Sequence, residues 1–250
     1  MLGLILVMIS FLAGIAGYAF GGGFGTIPVP ALILLGFGAR ETILSVLIAQ
    51  FFGEFTSIMM HHRLRNADFS LNSNDMKQGI ILGTCGFAGL VGAFIAMTIP
   101  ERIIVSYEVI LLISLGLVVI AWENHVYVRN VPSSKIITIG ALASLNKAIT
   151  GGNYRPTIIA LSILLGADAK RVIAVVSLAG SIVCVFSIIG YIIYGMKISL
   201  GLLIYITVGS VASATLSAFL ARKIPTRFLR VLIGVTMAAL GLCLLFRTIS

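Results

Sequence analysis

Along this chain, apolar runs alternate with short polar interruptions, and most runs approach the roughly 20 residues that a helix needs to cross a hydrocarbon core. They predict helices over 2–18, 43–60, 80–99, 103–122, 136–149, 172–194, 198–220 and 228–246. Two further runs, 28–37 and 157–165, are too short to span alone. Each short run follows a stretch that cannot continue a helix. The first is Gly21-Gly22-Gly23-Phe24-Gly25-Thr26-Ile27-Pro28-Val29-Pro30, and the second is Gly151-Gly152-Asn153-Tyr154-Arg155-Pro156. Glycine costs about 1 kcal/mol and proline about 3 kcal/mol against alanine in a helix interior. At membrane depth, broken backbone is tolerated only where protein or a water-filled cavity satisfies its polar groups.

The plan that runs from 2 to 122 starts again at 136, after a polar connection over 123–135. Gly21-Gly22 corresponds to Gly151-Gly152, Ile33-Leu34-Leu35-Gly36 to Ile163-Leu164-Leu165-Gly166, and Arg40 to Lys170. Later in each half, Ile99-Pro100 with Arg102 corresponds to Ile224-Pro225 with Arg227. The glycine pairs and the Pro-x-Arg turns recur in the same order, which identifies a tandem duplication with repeats 1–122 and 136–250 in a single membrane domain.

Basic residues set the expected orientation, because Lys and Arg in short loops favour the cytoplasm. The loop 61–77 carries Arg63, Arg65 and Lys77, whereas its counterpart carries only Lys197. The turn at 100–102 carries only Arg102, whereas its counterpart carries Arg222, Lys223, Arg227 and Arg230. The basic side switches between halves. This predicts an all-α polytopic protein of two inverted five-span halves, each with a broken helix, and both termini outside. The alternative is a parallel four-plus-four arrangement with re-entrant hairpins.

Composition supports a membrane protein: 59% hydrophobic residues, 10% charged and a mean hydropathy of +1.14. Soluble domains carry about 25% charge. The net charge of +9 lies mostly between apolar runs and comes without Arg-rich aromatic patches, so nucleic-acid binding is excluded. Cys85, Cys184 and Cys243 lie in apolar runs without CxxC spacing, which predicts buried, inert thiols and no metal site. The first run lacks a basic leader and is expected to remain as a span.

Two breaks in a duplicated bundle predict one shared site near the midplane. Candidates at the first break are Gly21, Gly22, Gly23, Gly25 and Thr26; at the second they are Gly151, Gly152, Asn153, Tyr154, Arg155 and Thr157. Freed helix ends present backbone N–H groups that favour anions, and the threonines stand ready to cap them or to meet an oxyanion. Lys147 lies deep in its run beside Asn146, and Arg155 lies in the second break. Both suit an anionic substrate, since charges inside membrane spans mark function. Glu54 is read as the one carboxylate interior to an apolar run, with Gln50 one turn before it. Two roles stay open for Glu54: a proton carrier with Gln50 beside it, or the counter-ion of Lys147 or Arg155. Arg40 and Lys170 are read as snorkelling or capping residues. His61, His62 and His125 are read as surface positions.

The glycine triplet, the following Pro28-Val29-Pro30-Ala31-Leu32-Ile33-Leu34-Leu35-Gly36, and the echo from Gly151-Gly152 to Leu164-Leu165-Gly166 resemble the sulfite exporter TauE/SafE family. The resemblance covers essentially the whole chain, with Asn153, Tyr154 and Arg155 standing where the family shows a richer glycine motif. It implies a secondary transporter, not an enzyme, without cofactor, in the plasma membrane. Its implied cargo is a small inorganic or organosulfur anion, sulfite or an organosulfonate, with protons as coupling ion and export as direction. A passive anion channel of the same architecture is the alternative. A lipid-pyrophosphate phosphatase would need a serine beside arginine in a helix break, which this chain lacks.

Overall fold

The computed structural model describes residues 2–19, 21–121, 133–158, 169–223 and 226–249. These form an all-helical bundle. Helix α1 (Leu2–Gly14) runs into a π-helical turn (Ile15–Ala19), and the first break follows. A 3-10 turn (Phe24–Thr26) and the short helix α2 (Pro28–Leu34) come next, with Pro28 starting α2 where no amide partner is needed. Helices α3 (Ala39–Arg63), α4 (Asn74–Thr84), α5 (Phe87–Thr98) and α6 (Glu101–Ala121) complete the first half. Helix α7 (Ser133–Thr150) leads to the second break, and α8 (Ala169–Ile193), α9 (Leu200–Lys223) and α10 (Thr226–Ile249) follow. Most of the short run 157–165, most of the polar connection 123–135 and the side chains of Lys170, Arg222, Lys223, Arg227 and Arg230 lie outside the described residues.

Five stretches among the described residues are long and apolar enough to cross a membrane: Leu2–Ala19, Ala39–Arg63, Asn74–Thr98, Val172–Ile193 and Leu200–Leu220. The distribution of side chains is that of a bundle solvated by lipid. Leu4, Ile110, Val208 and Phe246 face outward, whereas Glu54, Lys147, Asn153 and Arg155 are buried.

Four expectations need correction. The run 80–99 begins earlier, at Asn74, where the Ser73 hydroxyl accepts a bond from the Met76 amide (3.1 Å) and caps the helix. Lys77 therefore belongs to α4, not to the preceding loop. That run also breaks between Thr84 and Phe87, where the Gly86 amide tightens back onto the Gly83 carbonyl (2.8 Å). His61 is buried at 1% exposure against Asn66, while His62 is a surface residue as expected. Among the thiols, Cys85 and Cys184 are buried as expected, but Cys243 is exposed, against the expectation.

Small residues let the helices approach closely, as membrane bundles require, and their partners give the packing directions. A Cβ on Gly79 would meet Leu178, one on Gly83 would meet Ile182, and Gly190 abuts Ala93, so α4 and α5 run parallel to α8. In the same way Gly3 meets Tyr205 and Gly14 meets Ser213, so α1 runs parallel to α9. Gly140 meets Cys85 and Gly92 meets Leu145 and Ala148, so α7 runs parallel to α5. Helices α3 and α8 cross in opposite directions: Glu54 lies by Gly180, and the Ser57 and Ser177 hydroxyls are 3.3 Å apart.

Arg40 is a capping residue, though of a different helix from the one expected. Its Nε donates to the Ala96 carbonyl (3.0 Å) and its Nη2 to the Ile99 carbonyl (2.5 Å), which closes the C-terminus of α5 rather than that of α2. Glu101 reciprocates by accepting the Ala39 amide (3.2 Å) at the start of α3. The α5–α6 turn is thereby pinned to α3, the helix that carries Glu54.

Candidate functional site

The two breaks meet backbone to backbone at the centre of the bundle. A Cβ on Gly25 would lie 1.8 Å from the Gly151 carbonyl oxygen, so only glycine permits this crossing. Gly151 itself sits at φ 75°, a left-handed conformation that glycine adopts freely and most residues resist. Asn153 holds the same region at φ 67°, where asparagine is the best tolerated side chain after glycine.

The first break satisfies much of its own backbone. The Gly21 amide donates to the Gly17 carbonyl (3.2 Å) and the Gly22 amide to the Ala16 carbonyl (3.3 Å). The Thr26 hydroxyl turns back onto the carbonyls of Gly22 (2.8 Å) and Gly23 (2.7 Å). At the second break, the Thr157 hydroxyl likewise donates to the Asn153 carbonyl (2.9 Å). Both threonines therefore serve the turns, and neither hydroxyl points its proton at a ligand in this conformation.

The charged candidates converge. Glu54 Oε1 lies 3.6 Å from Lys147 Nζ and 3.7 Å from Arg155 Nη1, and all three side chains have 0% exposure. Gln50 Nε2 donates to the same carboxylate oxygen (2.8 Å). Lys147 Nζ donates to the Gly180 carbonyl (3.0 Å) and lies over the Tyr154 ring, 5.4 Å from its centroid. Arg155 donates through Nη1 to the Ser177 hydroxyl (3.1 Å) and through Nη2 to the Ile173 carbonyl (3.2 Å). A Cβ on Gly180 would lie 2.5 Å from Glu54 Oε2, so this glycine makes room for the carboxylate.

Two cations against one carboxylate leave one formal positive charge over in a fully buried place. Uncompensated charge is among the most expensive features a membrane interior can hold. The polar capacity is also incompletely used. Glu54 Oε2, Gln50 Oε1, Asn153 Oδ1 and Arg155 Nε are buried without a hydrogen-bond partner. Buried polar atoms are nearly always paired; here three oxygens lack a donor and one nitrogen, Arg155 Nε, lacks an acceptor beside the surplus cation.

Several contributors were not singled out by sequence. Tyr18 is fully buried; the Ser210 hydroxyl gives its proton to the Ala49 carbonyl (2.9 Å), so Tyr18 must donate to Ser210 (2.7 Å). The Tyr18 ring lies 5.6 Å from the Arg155 guanidinium carbon and stacks on Phe24 of the first break. One aromatic thus joins the glycine turn to the arginine of the other half. Ser177 and Gly180 emerge only from the packing of α8 on α3. Glu108 was legible but passed over: it lies inside the run 103–122, so Glu54 is not the only interior carboxylate. It is 1% exposed and the Thr150 side chain lies beside its carboxyl.

The model for the family described as sulfite exporter TauE/SafE matches residues 6–244. No curated protein and no solved structure matches the chain. The match takes in both glycine breaks and every residue of the buried ion cluster, so the chain belongs to the sulfite exporter TauE/SafE family of membrane transporters.

Proposed function

We propose that the chain is a secondary transporter of a small sulfur oxyanion, sulfite or an organosulfonate, held at the buried ion cluster beside the crossing of the two glycine breaks. The observation that carries this reading is the buried cluster of Lys147, Arg155 and Glu54 with its surplus positive charge and unpartnered Arg155 Nε. An oxyanion supplies the missing negative charge and an acceptor for Arg155 Nε at once. Arginine offers a planar fork suited to such oxygens, and lysine adds a point charge. The glycines contribute close approach of backbone, and Asn153 and Tyr154 complete the wall. Contact with both cations favours Glu54 as their counter-ion over Glu54 as a free proton carrier, with Gln50 holding its carboxylate.

The inverted five-span arrangement is part of the same proposal. Antiparallel packing of α3 on α8, parallel packing of α4–α5 on α8, and the matching pairs α1–α9 and α7–α5 all fit a two-fold relation between repeats 1–122 and 136–250. Re-entrant hairpins would make α3 and α8 run the same way. Full burial of the cluster fits a carrier that opens to one side at a time, in the plasma membrane, with both termini outside.

Uptake of labelled sulfite into proteoliposomes, with and without a pH gradient, tests the reading. Saturable flux that responds to the gradient is expected of the carrier, and unsaturable flux would point to a channel. If no small anion crosses from either side, the reading is wrong.

A further inference from the structure

The bundle buries a second carboxyl that the anion cluster does not use. Glu108 lies a third of the way along α6, is 1% exposed, and apart from the Thr150 side chain beside it has no hydrogen-bond partner for either oxygen. A purely structural buried acid would have its oxygens paired. No cation among the described residues lies within ion-pair distance of it. On its own helix, the neighbouring Tyr107 hydroxyl donates to Asn146 Oδ1 instead, and Glu101 caps α3. From α7, Lys147 turns away to Gly180 and Glu54, which leaves Thr150 as the polar group beside the acid. Helices α3 and α10 also pack on α6, and neither brings a described charged side chain to Glu108.

Thr150 is the last residue of α7 and the hinge of the second break. Its hydroxyl donates to the Asn146 carbonyl (2.9 Å) and accepts long contacts from the Gly152 amide and from Asn153 Nδ2 (3.4 Å each). Thr150 thus lies between Glu108 and the Gly152–Asn153 backbone of the second break.

We propose that Glu108 is a proton-binding site, held as the neutral acid, and that its protonation rather than that of Glu54 accompanies movement of the anion. A carboxylate without a counter-ion is costly in this interior, whereas the neutral acid is accommodated. On loading, hydronium gives one proton to a Glu108 oxygen and leaves as water; on release that O–H bond breaks and water carries the proton away. Two interior acids thus differ by environment: Glu54 lies between two cations, and Glu108 lies among apolar neighbours and one hydroxyl.

The transport arm of the test rests on the anion-carrier reading; the infrared arm does not. Infrared spectra of the purified protein near neutral pH should contain the carbonyl stretch of a protonated carboxylic acid. That band should vanish in Glu108→Gln and persist in Glu54→Gln. In proteoliposomes, Glu108→Gln should keep exchange of labelled sulfite between equal baths and lose its accumulation on a pH gradient. Absence of the band from the wild type, its loss in Glu54→Gln alone, or intact gradient-driven accumulation in Glu108→Gln would overturn the proposal. Should Glu108→Gln not fold, the wild-type spectrum and Glu54→Gln still decide it. A wild type that moves no anion but shows the Glu108 band would remove the transport reading and leave the proton site standing.

Discussion

The two glycine breaks each follow an apolar run and interrupt a helix in the same way, yet they are built from different materials. The first is nearly all backbone: its amides close on carbonyls of the preceding π-helical turn, Thr26 closes on carbonyls of the break, and Tyr18 stacks on Phe24. The second carries Asn153, Tyr154 and Arg155, with Lys147 one turn before it. Where they cross, Gly25 fits against Gly151 with no room for a side chain. The difference teaches that geometry and charge are separable here. The first break supplies the shape of the crossing, and in the proposed transporter the second supplies what reads the anion.

That division is broken most severely by filling the crossing. Gly25→Val places carbon into the Gly151 carbonyl, where no flexible side chain can yield. The cost should exceed the about 1–3 kcal/mol of ordinary overpacking. The expected outcome is loss of monodisperse protein on size-exclusion in detergent. A well-folded Gly25→Val variant would show that the breaks do not need to touch.

Removing the shared counter-ion comes next. Glu54→Ala leaves Lys147 and Arg155 buried together without a carboxylate, and stripping one partner from a buried ionic group costs about 3–5 kcal/mol. A marked fall in Tm is expected, partly restored when Lys147→Met is added. If the double variant is no better than the single, the lysine and the carboxylate do not depend on each other.

Arg155→Lys keeps the charge and loses the fork to Ser177 and Ile173. Sulfite flux should fall about tenfold, the equivalent of about 1.4 kcal/mol in the rate-limiting complex, with Tm changed little by comparison. Flux equal to wild type would mean that the guanidinium is structural.

The smallest effect belongs to the first break. Thr26→Val deletes a hydroxyl bonded only to its own turn, and a hydrogen bond contributes about 0.5–1.5 kcal/mol net. Stability should drop by that order while sulfite flux persists. Abolished flux in a folded Thr26→Val variant would move the anion to the first break and reverse the comparison.

How far the sequence carried this picture depends on the kind of signal. Apolar runs and the glycine breaks were legible because lipid and helix energetics act residue by residue. The start of α4 was not, since its first turn, Asn74 to Gln78, is polar and its signal lies in the cap at Ser73 rather than in hydropathy. Lys147, Arg155 and Glu54 were legible as costly residues, but their meeting was not, because the contacts join helices far apart in the chain. Tyr18 and Gly180 gave no sign at all: a tyrosine ending an apolar run reads as an interface residue, and one glycine among many reads as packing. Glu108 did give the sign of a carboxylate inside an apolar run, and the presence of Glu54 hid it.

In the proposed transporter the second break reads the charge of the anion. A cryo-EM structure of the protein saturated with sulfite tests it most directly. The account expects the anion within hydrogen-bond distance of Arg155 and Lys147, between Gly25 and Asn153. Density bound instead among the glycines and Thr26 of the first break, with both cations still on Glu54, would contradict it.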